Sequence, residues 1–125
     1  AARVKFQQAH LPAALPDAFD TVLSNSLLHH LADPLVLWRQ IAATGARGAA
    51  VLVMDLCRPA SRTAAMALVD TYASDAPAIL KRDFLQSLCA AYTPPEITRQ
   101  LTDVGLTLTV EPVSDRHVLV QGRLS

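Results

Sequence analysis

Apolar and polar positions along the chain fall into two spacings, and the change between them marks out the elements. Arg3 to Gln7 reads as a short strand, and Thr21 to Leu23 is a second β-prone apolar run, followed by a polar break at Ser24-Asn25-Ser26. Leu35, Trp38, Ile41 and Ala42 recur at three- and four-residue spacing, which predicts a helix with one apolar face. Ala49 to Leu56 is a continuous apolar run centred on Val51, Leu52 and Val53, as expected for a strand covered on both faces. Helical spacing returns after Pro59, with Leu80, Phe84, Leu85, Leu88 and Tyr92 forming a stripe. Leu106, Leu108 and Val110 then alternate with Thr107 and Thr109, and His117 to Leu124 alternates again after a turn near Ser114-Asp115, so the chain ends in an antiparallel hairpin.

Boundary residues agree with this division. The prolines of Leu11-Pro12 and Leu15-Pro16-Asp17 predict a turn-rich connection, because proline fixes its own φ and biases the residue before it toward extended backbone. Asp33 followed by Pro34 is an N-cap with a first-turn proline, and Gly45 supplies a left-handed stop. Ser61 caps a helix over 62–73, and Ser74-Asp75-Ala76-Pro77 restarts one. Thr93-Pro94-Pro95-Glu96 matches a capping box, and the helix it opens stops at Gly105.

With 125 residues, 51% of them hydrophobic, the sequence describes one ordered domain, 1–125. Eleven basic side chains balance eleven acidic ones and are scattered, which leaves no electrostatic footprint for nucleic acid or an anionic membrane. No apolar run is long enough to cross a membrane, and the start lacks the layout of a signal peptide, so the expected compartment is the cytoplasm. Cys57 and Cys89 are far apart and belong to no Cys-x-x-Cys pair; they read as reduced, partly buried thiols. His10, His117 and Asp55 are too scattered in sequence to argue for a metal, and none is expected.

Chemistry concentrates between Phe19 and Pro34. In open parallel α/β sheets ligands are met beyond the carboxyl ends of the strands, which is where Ser24 to Leu31 lies. Asn25 and Ser26 offer donors and acceptors there, Leu27 and Leu28 an apolar wall, and His29 with His30 is the only adjacent pair that titrates near neutral pH. Either histidine could orient an acceptor or take its proton; the plainer alternative is a helix-entry turn with one ring buried and hydrogen-bonded and the other solvated. Asp55, Cys57 and Arg58 share the same crevice from the end of their strand, where Asp55 and Arg58 either contact a substrate or satisfy each other and local backbone.

The pattern Phe19-Asp20-x-Val22-x-Ser24-Asn25-Ser26-x-x-His29-His30-Leu31-x-Asp33-Pro34, followed by Trp38 and by Val51-Leu52-Val53-Met54-Asp55-Leu56-x-Arg58-Pro59, resembles the second half of class I S-adenosylmethionine-dependent methyltransferases. The resemblance implies an α/β fold: a partial Rossmann-like methyltransferase sheet, its parallel strands closed by a C-terminal antiparallel hairpin, with helices packed on it. Strands three to seven of the family would be present and the first two absent, and the glycine-rich turn has no counterpart, since glycine occurs only at 45, 48, 105 and 122. It further implies His30 and His29 as catalytic candidates, His10, Leu11, Asn25, Ser26 and Leu27 as cofactor contacts, and Asp55, Arg58 and Tyr72 as substrate contacts, with Phe84 and Tyr92 also candidates for lining the acceptor pocket. At Ala9-His10-Leu11 an acid that commonly meets the adenine is replaced by His10. The implied function is S-adenosylmethionine-dependent methyl transfer to a small-molecule acceptor by a parent protein, this chain binding cofactor weakly or not at all by itself. The alternatives are a non-catalytic interaction or dimerisation domain built on the fold, and another doubly wound enzyme, which the terminal hairpin disfavours. An apolar strand edge left without neighbours is expected either to pair with the Arg3–Gln7 strand or to form a homodimer.

Overall fold

The computed structural model describes residues 3–15 and 18–125. The predicted connection through Pro16 and Asp17 therefore lies in part outside the described residues. Among the described residues, four strands and four helices follow in the order β1 (Phe19–Asn25), α1 (Leu35–Thr44), β2 (Gly45–Leu56), α2 (Arg62–Tyr72), α3 (Ala78–Ala90), α4 (Pro94–Val104), β3 (Thr109–Pro112) and β4 (His117–Arg123), with one 3₁₀ turn at Leu28–His30. They form a single sheet ordered β1-β2-β4-β3, in which β1 and β2 are parallel and the other pairs antiparallel. Among the described residues no helix is long and apolar enough to cross a membrane.

Register follows from the apolar pattern. Val51 to Met54 of β2 lie beside Val22 to Asn25 of β1, and Val53 and Asp55 beside Val120 and Val118 of β4. Val51, Val53, Val118 and Val120 thus share one face, which α1 and α4 cover with Leu37, Trp38, Ile41, Ile97 and Leu101. The Trp38 indole, fully buried, donates from Nε1 to Gln100 Oε1 at 2.9 Å, so its polar edge is satisfied where α1 meets α4. Tryptophan serves here as core.

Local signals explain most element ends. The Asp33 carboxylate accepts from Leu35 N at 3.0 Å, and Ser61 Oγ accepts from Ala64 N. Thr93 and Glu96 form the reciprocal capping box, and Gly105 closes α4 at φ 75°. Gly45 differs from expectation. Its φ of −77° is not left-handed, and β2 begins at that residue; a Cβ there would meet Leu124 Cδ1, so the glycine leaves room for the Leu124 side chain just beyond β4.

Five further expectations are corrected. Arg3–Gln7 forms no strand: Val4 and Phe6 are exposed, and among the described residues no partner strand receives them. Ala42 faces outward, α1 instead burying Leu37, Gln40 and Thr44. Leu80 of α3 is exposed, and Leu106 and Leu108 precede β3 rather than joining it. Finally, β2 is closely covered on one face only. Leu52 remains 41% exposed, because α2 and α3 pack on each other in a small separate core of Ala65, Val69 and Leu88 that reaches the sheet at Leu56.

Candidate active site

The tips of β1 and β2 point the same way, and the chain leaving β1 crosses over the end of β2. Ser26 makes the turn at φ 59°, an uncommon conformation for a residue other than glycine, and donates its amide to Met54 O at 2.9 Å. The 3₁₀ turn follows at once and is anchored on Asp55. This carboxylate is 1% exposed; Oδ2 accepts from Leu28 N at 2.8 Å, while Oδ1 accepts from His29 N at 3.4 Å and from Leu56 N at 2.9 Å. His29 Nδ1 lies 2.7 Å from the same Oδ1. An acceptor-only carboxylate fixes the neutral ring with hydrogen on Nδ1 and leaves the Nε2 lone pair available.

One histidine is buried and hydrogen-bonded, the other exposed. The His29 side chain is 6% exposed, and the His30 ring lies against it at a centroid separation of 4.0 Å. A closed pair capped by an outward imidazole results.

The other expected residues divide by position. Asn25 and Ser26 are exposed at the tip of β1, hydrogen-bonded to each other through Ser26 Oγ and Asn25 Oδ1. Leu11 and Leu27 meet in a cleft of about 430 Å³ beside β1, whose walls also include Leu15, Val22, Leu37 and Ile41. His10 is exposed and lies outside this cleft, whereas Gln40 holds the segment that carries Leu11 by bonding both Ala13 N and Ala13 O. Asp55 faces inward, its oxygens taken up by the loop and by Leu56.

Arg58 bonds Glu96 Oε2 at 3.0 Å and Ala91 O at 3.3 Å, so Asp55 and Arg58 each find other partners instead of forming an ion pair together. The Thr93 amide and the Arg58 guanidinium hold the Glu96 carboxyl below its usual range against a smaller opposing effect of burial. Tyr72 is exposed at the end of α2, donating to Asp115 Oδ2 at 2.7 Å with the Arg116 guanidinium over its ring. It sits at the β3–β4 turn, whose Arg116 carbonyl accepts from Cys57 N at the end of β2. Phe84 packs in the α2–α3 core. The Tyr92 hydroxyl donates to Leu31 O at 2.7 Å, just beyond the histidines, and burial pushes its pKa up.

The bond network around Asp55 is not legible in the sequence, because all its partners but Leu56 lie 26 and 27 residues away. A carboxylate inside an otherwise apolar strand was the available signal: a buried charge needs several donors.

No family model and no curated protein matches the sequence. Solved structures do. An O-methyltransferase family protein from Burkholderia thailandensis superposes with a TM-score of 0.53 at 18% identity, over 86% of this chain and 31% of that one. A proposed O-methyltransferase from Nostoc punctiforme PCC 73102 gives 0.54 at 19% identity, over 86% and 33%. The chain therefore has a methyltransferase fold, and it spans about a third of the length of these proteins. Of strands three to seven expected from the resemblance, the sheet holds four, Arg3–Gln7 being no strand.

Proposed function

We propose that this chain supplies the acceptor-facing part of a site that transfers a methyl group from S-adenosylmethionine to a small molecule. The observation that carries the reading is the buried Asp55–His29 pair at the tips of two parallel strands in a methyltransferase fold. Both structural neighbours are described as O-methyltransferases, which favours an oxygen nucleophile. His29 Nε2 takes the acceptor's proton, and Asp55 stabilises the imidazolium that forms; general base catalysis of this kind contributes about 10²–10⁴-fold. His30 shields that ring and offers a second site of contact. Arg58 and Tyr72 stand further out, as contacts for the acceptor's periphery, and Asp55 acts through His29 rather than on the substrate.

The residues present do not by themselves fit the cofactor. Gly45 and Gly48 lie in β2, Gly105 closes α4 and Gly122 lies in β4, so among the described residues no glycine turn cradles the methionine and ribose parts, and His10 supplies no acid. Leu11, Leu27, Asn25 and Ser26 would form at most one wall. Titration calorimetry of this chain with S-adenosylmethionine is expected to show weak or no binding, and tight binding would overturn that. On the chain extended by any coding sequence upstream of Ala1, His29→Asn is expected to lower methyl transfer within the range above. An unchanged rate would remove His29 from the chemistry. The second reading, an interaction domain without catalysis, is favoured by the lack of a glycine-rich turn in this sequence.

A further inference from the structure

The 3₁₀ turn that carries His29 and His30 is held at its entrance by the Ser26 amide on Met54 O and at its middle by the Asp55 carboxylate. Its exit is held differently. Leu31 leaves the turn in extended backbone, φ −91° and ψ 123°, after its amide has closed the turn on Leu28 O at 3.1 Å. The Leu31 carbonyl then meets no donor in the chain that follows: Pro34, three residues on, carries no N–H, and the Leu35 amide is bonded to the Asp33 carboxylate at 3.0 Å. A backbone acceptor drawn away from water needs a donor from elsewhere. The Tyr92 hydroxyl supplies it at 2.7 Å, from 61 residues away.

The phenol is itself fixed to the strand that carries Asp55. Tyr92 forms a parallel bridge with Cys57 just past the end of β2, its carbonyl accepts from Arg58 N at 3.3 Å, and Arg58 Nη1 donates to the carbonyl of the neighbouring, fully buried Ala91. Its ring, like Leu31 and Leu35, packs against the main core. Burial, and after it the nearby Glu96 and Asp33 carboxylates, push the phenol pKa up, so the hydroxyl stays a donor well into alkaline solution. We propose that Tyr92 is a positioning residue: its hydroxyl, acting through the Leu31 carbonyl, fixes the exit of the turn and with it the placement of both imidazoles. Strand β2 thereby holds the turn twice, through Asp55 at the middle and Tyr92 at the exit, and supports built on strands are more exact than supports built on loops. With the hydroxyl gone, Asp55 still keeps the His29 Nδ1–H, but the bond beyond His30, whose ring lies 4.0 Å from that of His29, is lost. The turn then moves about a single anchor.

Tyr92→Phe removes one oxygen and keeps the ring. On this chain, NMR of the variant is expected to show relaxation dispersion at the His29, His30 and Leu31 amides and a His29–His30 ring NOE weakened by about twofold or more. Trp38→Phe, which loses a buried bond at the α1–α4 contact instead, leaves both as in wild type. Turn signals and a ring NOE unchanged by Tyr92→Phe, or disturbed equally by Trp38→Phe, overturn the proposal. If Tyr92→Phe fails to fold, the wild-type chain decides: a slowly exchanging Tyr92 hydroxyl proton with an NOE to Leu31 supports the proposal, and its absence overturns it. The consequence for catalysis rests on the reading of His29 as the base. On the chain extended upstream, Tyr92→Phe is expected to lower kcat by about tenfold with KM for the acceptor near wild type, since placement is lost and binding is not. A raised KM at unchanged kcat overturns that consequence, whereas an unchanged rate in His29→Asn overturns the reading of His29 alone and leaves the NMR result to judge Tyr92.

Discussion

Replacing Asp55 tests whether a single buried carboxylate organises the histidine turn. Asp55→Ala deprives the Leu28 and Leu56 amides and the His29 Nδ1–H of their acceptor, at bonds of 2.8, 2.9 and 2.7 Å. Leaving a buried donor unsatisfied costs about 1–3 kcal/mol. Partial relaxation of a loop near the surface keeps the total near the lower part of the sum, about 3–5 kcal/mol, which is also the usual cost of breaking a buried charge pair. Against a typical domain stability of about 5–15 kcal/mol this is severe. Asp55→Asn should cost less, about 1–3 kcal/mol: with its amide nitrogen in the Oδ2 position it opposes only the Leu28 N–H, while its oxygen still serves His29 and Leu56. Urea unfolding followed by the fluorescence of Trp38, the only tryptophan, reads both variants. A loss below about 1 kcal/mol for Asp55→Ala would refute the account of the turn.

Three other outcomes follow from the packing. Trp38→Phe removes the Nε1 donor and strands Gln100 Oε1 at the α1–α4 contact, so urea unfolding should show a loss of about 1–3 kcal/mol, largely recovered by a compensating Gln100→Leu. Gly105→Ala forces a Cβ into left-handed backbone although the space around it is open, and should lower stability by about 1–2 kcal/mol in the same assay. Because the folded-state pKa of Glu96 lies below its ordinary 4.5, its contribution is fully present above that value and disappears as pH falls through the folded pKa. Urea midpoints measured from neutral to acid pH should therefore fall less steeply for Glu96→Gln than for wild type.

What the sequence disclosed depended on how local the cause was. The capping box at Thr93, the cap at Ser61 and the stop at Gly105 are set within four residues and were readable, as was the hairpin that ends the chain. Gly45 is legible as a break but not for its actual reason, since the side chain that needs its vacancy, Leu124, is distant in the sequence. Arg3–Gln7 has the composition of a strand and lacks a neighbour; a ladder needs two partners, and no single segment can announce the second. At the site, the buried and solvated rings of His29 and His30 matched the expected helix-entry turn. The inward orientation of Asp55 is not legible in the sequence, because it is decided chiefly by donors on a turn 26 and 27 residues away.

Tyr92 sits at the corner where α3 passes into α4. Its hydroxyl grips Leu31 O, and its own carbonyl accepts from Arg58 N. The helical cap and the turn bearing both imidazoles are thereby strapped to one corner post. Whatever tilts that cap, whether an arriving molecule or a neighbouring protein, must drag the histidine turn along or snap the phenol's hold, so the cap and the catalytic candidates can be set together from a point that touches neither ring.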